Sequence, residues 1–266
     1  MSDEDCFFAP TPWDYAVVRM DPVAMVQHLD DAQALEAAAR IQPTIYLVHL
    51  SWDSVFPFPG KPWYGFSASL VGPSLRAVDE ERCISSDMCI PIFPNTAHPG
   101  GREPVRPKPE RPFPFDNCYH WSFTDMKIRV IASPEGFNTR IAVKLDAYED
   151  TRREEFFATD GYLQAEALKA RDGPSPSVED VEAAPTSSDE TEDEQASIRS
   201  YSTFESSVRS AESIDTMTEM GFFGDPSGNI EFQPLVHLWL DIEARLKQED
   251  IVSPVHFYEE IDAITQ

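Results

Sequence analysis

The stretch that decides the fold reads Met126-Lys-Ile-Arg-Val-Ile-Ala-Ser-Pro-Glu-Gly-Phe-Asn-Thr-Arg-Ile-Ala-Val-Lys-Leu145. Apolar and polar side chains alternate before and after the turn Ser133-Pro-Glu-Gly136, as is typical of strands with one buried face. Two such runs joined by a Pro/Gly turn predict an antiparallel hairpin. The sequence therefore predicts a mainly antiparallel sheet built around this hairpin.

The segments before and after the hairpin complete a mixed domain. Residues 44–52 are apolar on both faces, which predicts a central strand, and residues 62–71 are expected to pair with it. An Asp-Pro pair typical of a helix start opens an amphipathic N-terminal helix predicted over 22–40. Residues 147–170 are predicted to form a longer helix. Helices and strands without regular alternation favour an α+β domain over residues 1–170.

The middle of the chain has a different composition. Residues 171–220 hold 13 acids against 3 bases and few apolar side chains. Such a stretch cannot offset an ordering cost of about 1–2 kcal/mol per residue, so it is predicted to be a disordered acidic linker rich in Ser and Thr. Its hydroxyls at Ser177, Ser187 and Thr191 precede carboxylates, which is typical of acidophilic kinase substrates, and we expect them to be phosphoacceptors. The alternative is a spacer that only solubilises.

The last segment, residues 221–266, is predicted to form two short helices. The first is indicated by apolar residues at helical spacing between Leu235 and Leu246, and the second by the Ser-Pro pair that precedes Phe257. Two short helices cannot make a core, so they must pack on residues 1–170 or on a partner. Trp239 and Phe257 are the expected partner-binding anchors, because large aromatics dominate interface energetics; the alternative is that they belong to the core.

Charge and length narrow the classes of function. The 266 residues carry 47 acids and 21 bases, a formal charge of −26. Such a chain repels phosphates, so we expect no direct nucleic-acid contact and no anionic membrane surface as partner. No apolar run reaches the length of about 18 residues that a membrane span needs. The acidic start does not resemble a secretory signal, and we expect the protein in the cytoplasm, the nucleus or both.

Two arrangements of cysteine and histidine offer alternative chemistry. Cys83, Cys89, Cys118 and His120 have the donor types that zinc prefers, although the Cys-x5-Cys spacing differs from a standard zinc knuckle. Asp116, Cys118 and His120 lie within five residues and could form a nucleophilic thiol site. The simpler interpretation is that the cysteines are small buried side chains. We therefore expect no cofactor and favour no catalytic residue.

A proline-rich segment covers residues 99–114. Its alternating prolines predict an extended polyproline II backbone. Arg106, Pro109 and Pro112 match the cation-plus-two-proline pattern that SH3-type domains bind. The alternative is a rigid connector between strands, which the sequence favours.

The predicted hairpin places four cations on its solvent face. Cross-strand like charges are unfavourable unless an anion relieves them, so the patch is expected to bind carboxylates from the acidic linker or from an acidic protein. The residues of this acidic-ligand patch are Lys127, Arg129, Arg140 and Lys144.

The whole pattern favours a non-enzymatic regulatory or adaptor protein that acts through protein–protein contacts. One alternative is a thiol- or zinc-dependent enzyme centred on Cys118 and His120. Another is a transcriptional co-regulator, because aromatic residues such as Tyr201 and Phe204 within acidic sequence resemble an activation segment.

Overall fold

The computed structural model of the chain describes residues 6–51, 57–172 and 233–265. Its strands are β1 (Cys6–Phe7), β2 (Tyr15–Met20), β3 (Ile45–Ser51), β4 (Trp63–Gly72), β5 (Cys89–Pro91), β6 (Tyr119–Ile131), β7 (Phe137–Asn138) and β8 (Leu235–Trp239). Its α-helices are α1 (Pro22–Val26), α2 (Ala32–Arg40), α3 (Ala147–Asp172), α4 (Ile242–Arg245) and α5 (Val255–Thr265). The mixed α+β class, the long helix and the short C-terminal helices are confirmed.

Five strands close into a barrel. The hydrogen-bonded order is β4-β3-β2-β8-β6, and β4 also pairs with β6, which returns the sheet to its start. Every pairing in the ring is antiparallel except that of β6 with β8. Closure pairs each of these strands on both sides over at least part of its length, and β5 continues the sheet from the far end of β6. The predicted strands over 44–52 and 62–71 are confirmed as the neighbours β3 and β4.

A bulge in β6 turns its first half toward β5. The register with β4 is regular from Trp63 to Ser69 and then shifts, so that Val71 lies opposite His120. Phe123, inside the bulge, has a positive φ of 63°. Extra residues on one strand bend it and redirect its side chains, and here the bend brings His120 to the outer face of the barrel.

The barrel interior is apolar. Alternate residues of each strand point inward, among them Val18, Val48, Phe66, Ile128 and Leu238. Phe257 of α5 packs edge-on against Tyr46, with ring centroids 4.8 Å apart, and is fully buried at the same core. Burial of such side chains stabilises a fold by about 1.5–3 kcal/mol each, and this core accounts for the confirmed strand pattern.

The predicted hairpin over 126–145 is wrong. The turn forms, with Gly136 N–H donating to the Ser133 carbonyl, but β6 pairs with β4 on one edge and with β8 on the other. A strand has only two hydrogen-bonding edges, so the segment after the turn pairs elsewhere. β7 joins β1, and Val143 bonds to Tyr15.

The first predicted C-terminal helix, between Leu235 and Leu246, forms only at its end as α4, because residues 235–239 form β8 between β2 and β6. The same residues alternate as well as they repeat at helical spacing: Val236 and Leu238 point inward, while Leu235, His237 and Trp239 point outward. The vacant place in the barrel decides between the two patterns, since tertiary context overrides local propensity. The second predicted helix is α5.

The single N-terminal helix predicted over 22–40 is not formed. The structure has α1, a 3-10 turn over Gln27–Leu29, and α2. Asp30 adopts a left-handed conformation that ends the first part, and the Asp31 side chain accepts from Gln33 N–H to begin the second. Nearly all of the predicted linker, including its phosphoacceptors, lies outside the described residues. Within the described ranges, no helix has both the length and the hydropathy to cross a bilayer.

Candidate functional site

A row of polar side chains crosses four strands on the outer face of the barrel. The register aligns Tyr15 with His49, His49 with Ser69, and Ser69 with Asp125. Side chains alternate along a strand, so all four lie on the face opposite the apolar interior. α3 lies over the buried end of this row. The covered cluster comprises Tyr15, His49, Ser69, His120, Asp150 and Arg153.

Arg153 fixes α3 to the sheet. Its guanidinium donates to the hydroxyls of Ser69 at 3.1 Å and Ser51 at 3.2 Å, and its Nε donates to Asp150 Oδ1 at 3.0 Å. The group lies 5.1 Å from the ring centroid of Phe157 and is fully buried. A buried cation is tolerated only when it is paired and hydrogen-bonded, and Asp150, one turn earlier on the helix, provides the charge.

Two neutral histidines lie beside this cation. A 2.8 Å hydrogen bond joins Tyr15 Oη and His120 Nε2, and the His49 ring stands perpendicular to that of His120 with centroids 5.4 Å apart. Burial, and then the charge of Arg153, holds the pKa of His120 well below 6.5. The pKa of His49 is lowered in the same way, with His120 adding to the effect. Both imidazoles are therefore uncharged at neutral pH.

The covered cluster is closed to solvent. Tyr15, His49, His120 and Arg153 each have a relative exposure of 0%. A substrate cannot reach these groups in this conformation, so their chemistry is that of a buried polar network that specifies how α3 sits on the barrel.

The other half of the same outer face is open. There the outward positions of β2, β4, β6 and β8 carry cations and indoles, which are exposed or half-buried except for the buried Arg129. The register sets Arg19 opposite His237, and it sets Arg129 opposite both Gly65 and Leu235. The basic–aromatic face comprises Arg19, Trp63, Lys127, Arg129, His237 and Trp239, with Arg245 of α4 beside them.

Trp239 is the centre of this face. The guanidinium carbon of Arg19 lies 5.5 Å from its ring centroid and that of Arg245 lies 5.1 Å away. The imidazole of His237 stacks at 6.1 Å with an interplanar angle of 26°. Within the described residues neither Arg19 nor Arg245 has a carboxylate partner. Guanidinium groups packed against an indole can still donate N–H bonds to a ligand.

The face continues toward β4. Arg129 packs over Trp63 at 5.7 Å, and its Nε donates to the Gln233 carbonyl at 3.0 Å. His237 Nε2 lies 3.2 Å from Asp21 Oδ2, the carboxylate that caps α1. A second cation–indole pair thus extends the surface across the sheet.

A cleft of about 370 Å³ opens next to Trp239. Its apolar walls are Phe137, Ile141, Leu238 and Ala244, and Arg245 stands at its side. Glu135 and Asp241 also line it, and the Asp241 carboxylate accepts from Ala244 N–H at the start of α4. The cleft can therefore take an apolar side chain beside the cations.

The thiol site considered from the sequence is not assembled. Cys118 is fully buried in an apolar cluster, and burial raises the pKa of its thiol to about 12. His120 contacts Tyr15 rather than this thiol. Asp116 is exposed, and its backbone N–H donates to Gln248. These groups lack the hydrogen-bonded contact between nucleophile and base that thiol catalysis requires.

The four zinc-ligand candidates are also separate. Cys83 lies in an exposed turn, its sulfur 3.8 Å from the Glu80 carbonyl. Cys89 is buried on β5, where burial raises the pKa of its thiol to about 11. In the described ranges, no three His, Cys, Asp or Glu side chains are arranged to hold a metal ion.

The proline-rich segment lies along the molecule. Arg102 forms a two-pronged ion pair with the buried Asp160 of α3, at 2.6 and 2.9 Å. Arg106 N–H donates to Glu149, and the Arg106 guanidinium stacks over Phe93 at 4.6 Å. These contacts are those of a connector between strands. Three positions of the SH3-type pattern nonetheless remain exposed: Arg106, Pro109 and Pro112.

The four cations of the predicted acidic-ligand patch are divided, because the hairpin that would unite them is not formed. Lys127 and Arg129 lie on β6 and belong to the basic–aromatic face. Arg140 and Lys144 lie in the segment before α3, where Lys144 Nζ is 3.9 Å from the buried Asp14 carboxylate. Of the two aromatic anchors, Trp239 is half-buried on the face, whereas Phe257 is in the core.

Sequence reasoning missed Arg19, Arg245 and Arg153. Arg19 and Trp239 meet only because β2 pairs with β8, more than 200 residues later in the chain. For α3 a signal existed: Glu149, Arg153 and Asp160 share one stripe with Phe156 and Phe157. Charged residues on the apolar stripe of a helix indicate a buried ion network.

No protein-family model matches this chain, and neither curated proteins nor solved structures show a significant match to it.

Proposed function

We propose that the chain is a non-enzymatic adaptor or regulatory protein, and that the basic–aromatic face is where it contacts another protein. The observation that carries this is Trp239, held half-exposed between two guanidinium groups on a molecule with a net charge of −26. Tryptophan and arginine are enriched among the residues that dominate binding energy. A local surface of opposite sign also steers association and selects partners.

The contacts of the arginines on this face favour a role in binding a partner over a role in stabilising the fold. Two arginines that contact α3 or lie on it satisfy carboxylates: Arg102 pairs with Asp160, and Arg153 with Asp150. Arg19 and Arg245 instead stack on an exposed ring. Exposed ionic contacts contribute only about 0–1 kcal/mol to folding, so the fold gains little from holding cations there.

Cross-linking in cells tests the proposal. The full chain, its Trp239→Ala variant and an Arg40→Gln control on α2 would be cross-linked, and proteins joined to each would be quantified by mass spectrometry. We expect at least one protein whose recovery falls with Trp239→Ala and is unchanged in the control, and whose purified form binds the wild-type chain directly. If no recovered protein depends on Trp239, the face is not the contact surface and the proposal fails.

A further inference from the structure

We propose that the ligand of the basic–aromatic face is an extended, acidic segment of a partner protein, bound through its side chains. This inference rests on the proposed function and adds the chemistry of the partner. Three features of the described residues carry it: the pair of guanidinium groups, the adjoining cleft, and the closed sheet beneath them.

The guanidinium pair selects the charge. Arg19 and Arg245 both lie within 5.5 Å of one indole ring and have no carboxylate partner among the described residues. A guanidinium presents a planar fork of donors that matches a carboxylate in two parallel hydrogen bonds. Alternate residues of an extended peptide are about 7 Å apart on one side, a spacing that lets two carboxylates reach two arginines on the same ring.

The cleft selects an apolar neighbour. Phe137, Ile141 and Ala244 line a space of about 370 Å³ directly beside Trp239 and Arg245. An apolar side chain of the same peptide would occupy it, because a binding hot spot combines a buried anchor with surrounding polar contacts. The acids Glu135 and Asp241 at this cleft disfavour a second carboxylate there, so the acidic residues must lie on the arginine side.

The closed sheet disfavours another mode of binding. An extended peptide often adds as a strand to an open sheet edge. Here β8 is paired with β2 from Val236 to Trp239 and with β6 at Leu235 and Val236, so at most its last three residues could accept an added strand, on the β6 side. A backbone ladder on so short an edge would be small, so we expect the partner to be recognised mainly by its side chains, across the face of the sheet.

Fluorescence anisotropy with a labelled peptide tests this on the full chain. The probe is Glu-Asp-Leu-Asp-Glu-Phe, and the control probe is Gln-Asn-Leu-Asn-Gln-Phe, which has the same shape without the charges. We expect the acidic peptide to bind at low salt, to weaken as salt rises, and the amide peptide not to bind. Replacing both Arg19 and Arg245 by Gln should weaken binding about 10-fold, the sum expected of two partly exposed ion pairs.

Matched variants keep the result specific. Arg40→Gln and Lys169→Gln remove exposed cations of α2 and α3 and should leave the affinity unchanged, whereas Trp239→Phe should weaken it. Equal binding of the two peptides, absence of binding at low salt, or full binding by the double arginine variant would each overturn the inference. Tighter binding of a single-stranded oligonucleotide of equal charge would also overturn it.

The two proposals can fail separately. If cross-linking finds a partner that depends on Trp239 but the acidic peptide does not bind, the contact surface stands and the partner chemistry is wrong. If no partner depends on Trp239, the proposed function fails whatever the peptide does.

Discussion

Both halves of the outer barrel face carry arginine beside aromatic rings, but the arginines have different roles in the two halves. Under α3, Arg153 is fully buried and its donors are taken by Asp150, Ser69 and Ser51. On the open half, Arg19 is exposed and lies on Trp239. In the covered half the buried guanidinium is paired within the chain, so this half contributes to folding. The open half leaves guanidinium donors toward solvent, so it can contribute to binding.

The largest expected effect on folding stability comes from substituting a residue of the covered cluster. Arg153→Met should lower the free energy of unfolding by about 3–5 kcal/mol, because it leaves Asp150 and two hydroxyls without their buried partner. Urea denaturation measures this, with Arg245→Met as the matched control on the open half. A loss below about 1 kcal/mol for Arg153→Met would show that the two halves do not differ as described.

The second largest effect should be a loss of folding stability at low pH, through the two histidines of the covered half. His49 and His120 have a folded-state pKa below the unfolded value of 6.5, so the unfolded chain binds more protons below that pH. Stability should therefore be retained above pH 6.5 and fall as the pH is lowered, by up to about 3 kcal/mol per pH unit for two groups.

The pH effect has an opposing contribution and a control. Burial raises the pKa of Asp14 to about 6; this group favours the folded state at low pH, and its contribution is lost as the pH rises through 6. The double variant His49→Gln, His120→Gln should flatten the decline between pH 6.5 and 5 in denaturation midpoints. An unchanged slope would mean that these imidazoles are not the groups that titrate.

Thiol labelling compares the solvent access of buried and exposed cysteines. Cys118 and Cys89 are buried with raised pKa values, whereas Cys6 is exposed. We expect Cys6 to react with a maleimide at least about 100-fold faster than Cys118, since only local opening exposes the latter. Single-cysteine variants analysed by mass spectrometry give the rates. Comparable rates would show that the apolar cluster shared by Cys118 and Tyr15 is open to solvent.

The smallest effect on folding stability should come from substitutions on the open half. Arg19→Gln together with Arg245→Gln should change the free energy of unfolding by less than about 0.5 kcal/mol, as for surface substitutions in general. Thermal and urea denaturation measure it alongside peptide binding. A destabilisation similar to that of Arg153→Met would mean that these cations serve the fold rather than recognition.

Part of this structure could be predicted from local patterns of apolar and polar residues. β3, β4 and α3 could be predicted because their periodicity agrees with their environment. β8 could not, since Leu235, Leu238 and Trp239 fit a helix equally well until the gap between β2 and β6 is known. The hairpin failed for a related reason: both edges of β6 are used by strands that are distant in sequence.

The candidate site was predicted only in pieces. Trp239, Lys127 and Arg129 could be selected from the sequence as binding residues, but the register that brings Arg19 to Trp239 is not a local property. Arg245 reaches the ring because α4 turns back beside β8 after Asp241. A surface assembled from four strands becomes visible only when their order is known.

The insertion of β8 between β2 and β6 has a consequence for fragments of this protein. Residues 6–172 and 233–265 share one barrel, whatever joins them along the chain. Two separately expressed pieces, divided anywhere between Asp172 and Gln233, should reassemble and restore the barrel without a covalent link. The protein could therefore be used for split-reporter complementation, in which the shorter piece supplies strand β8.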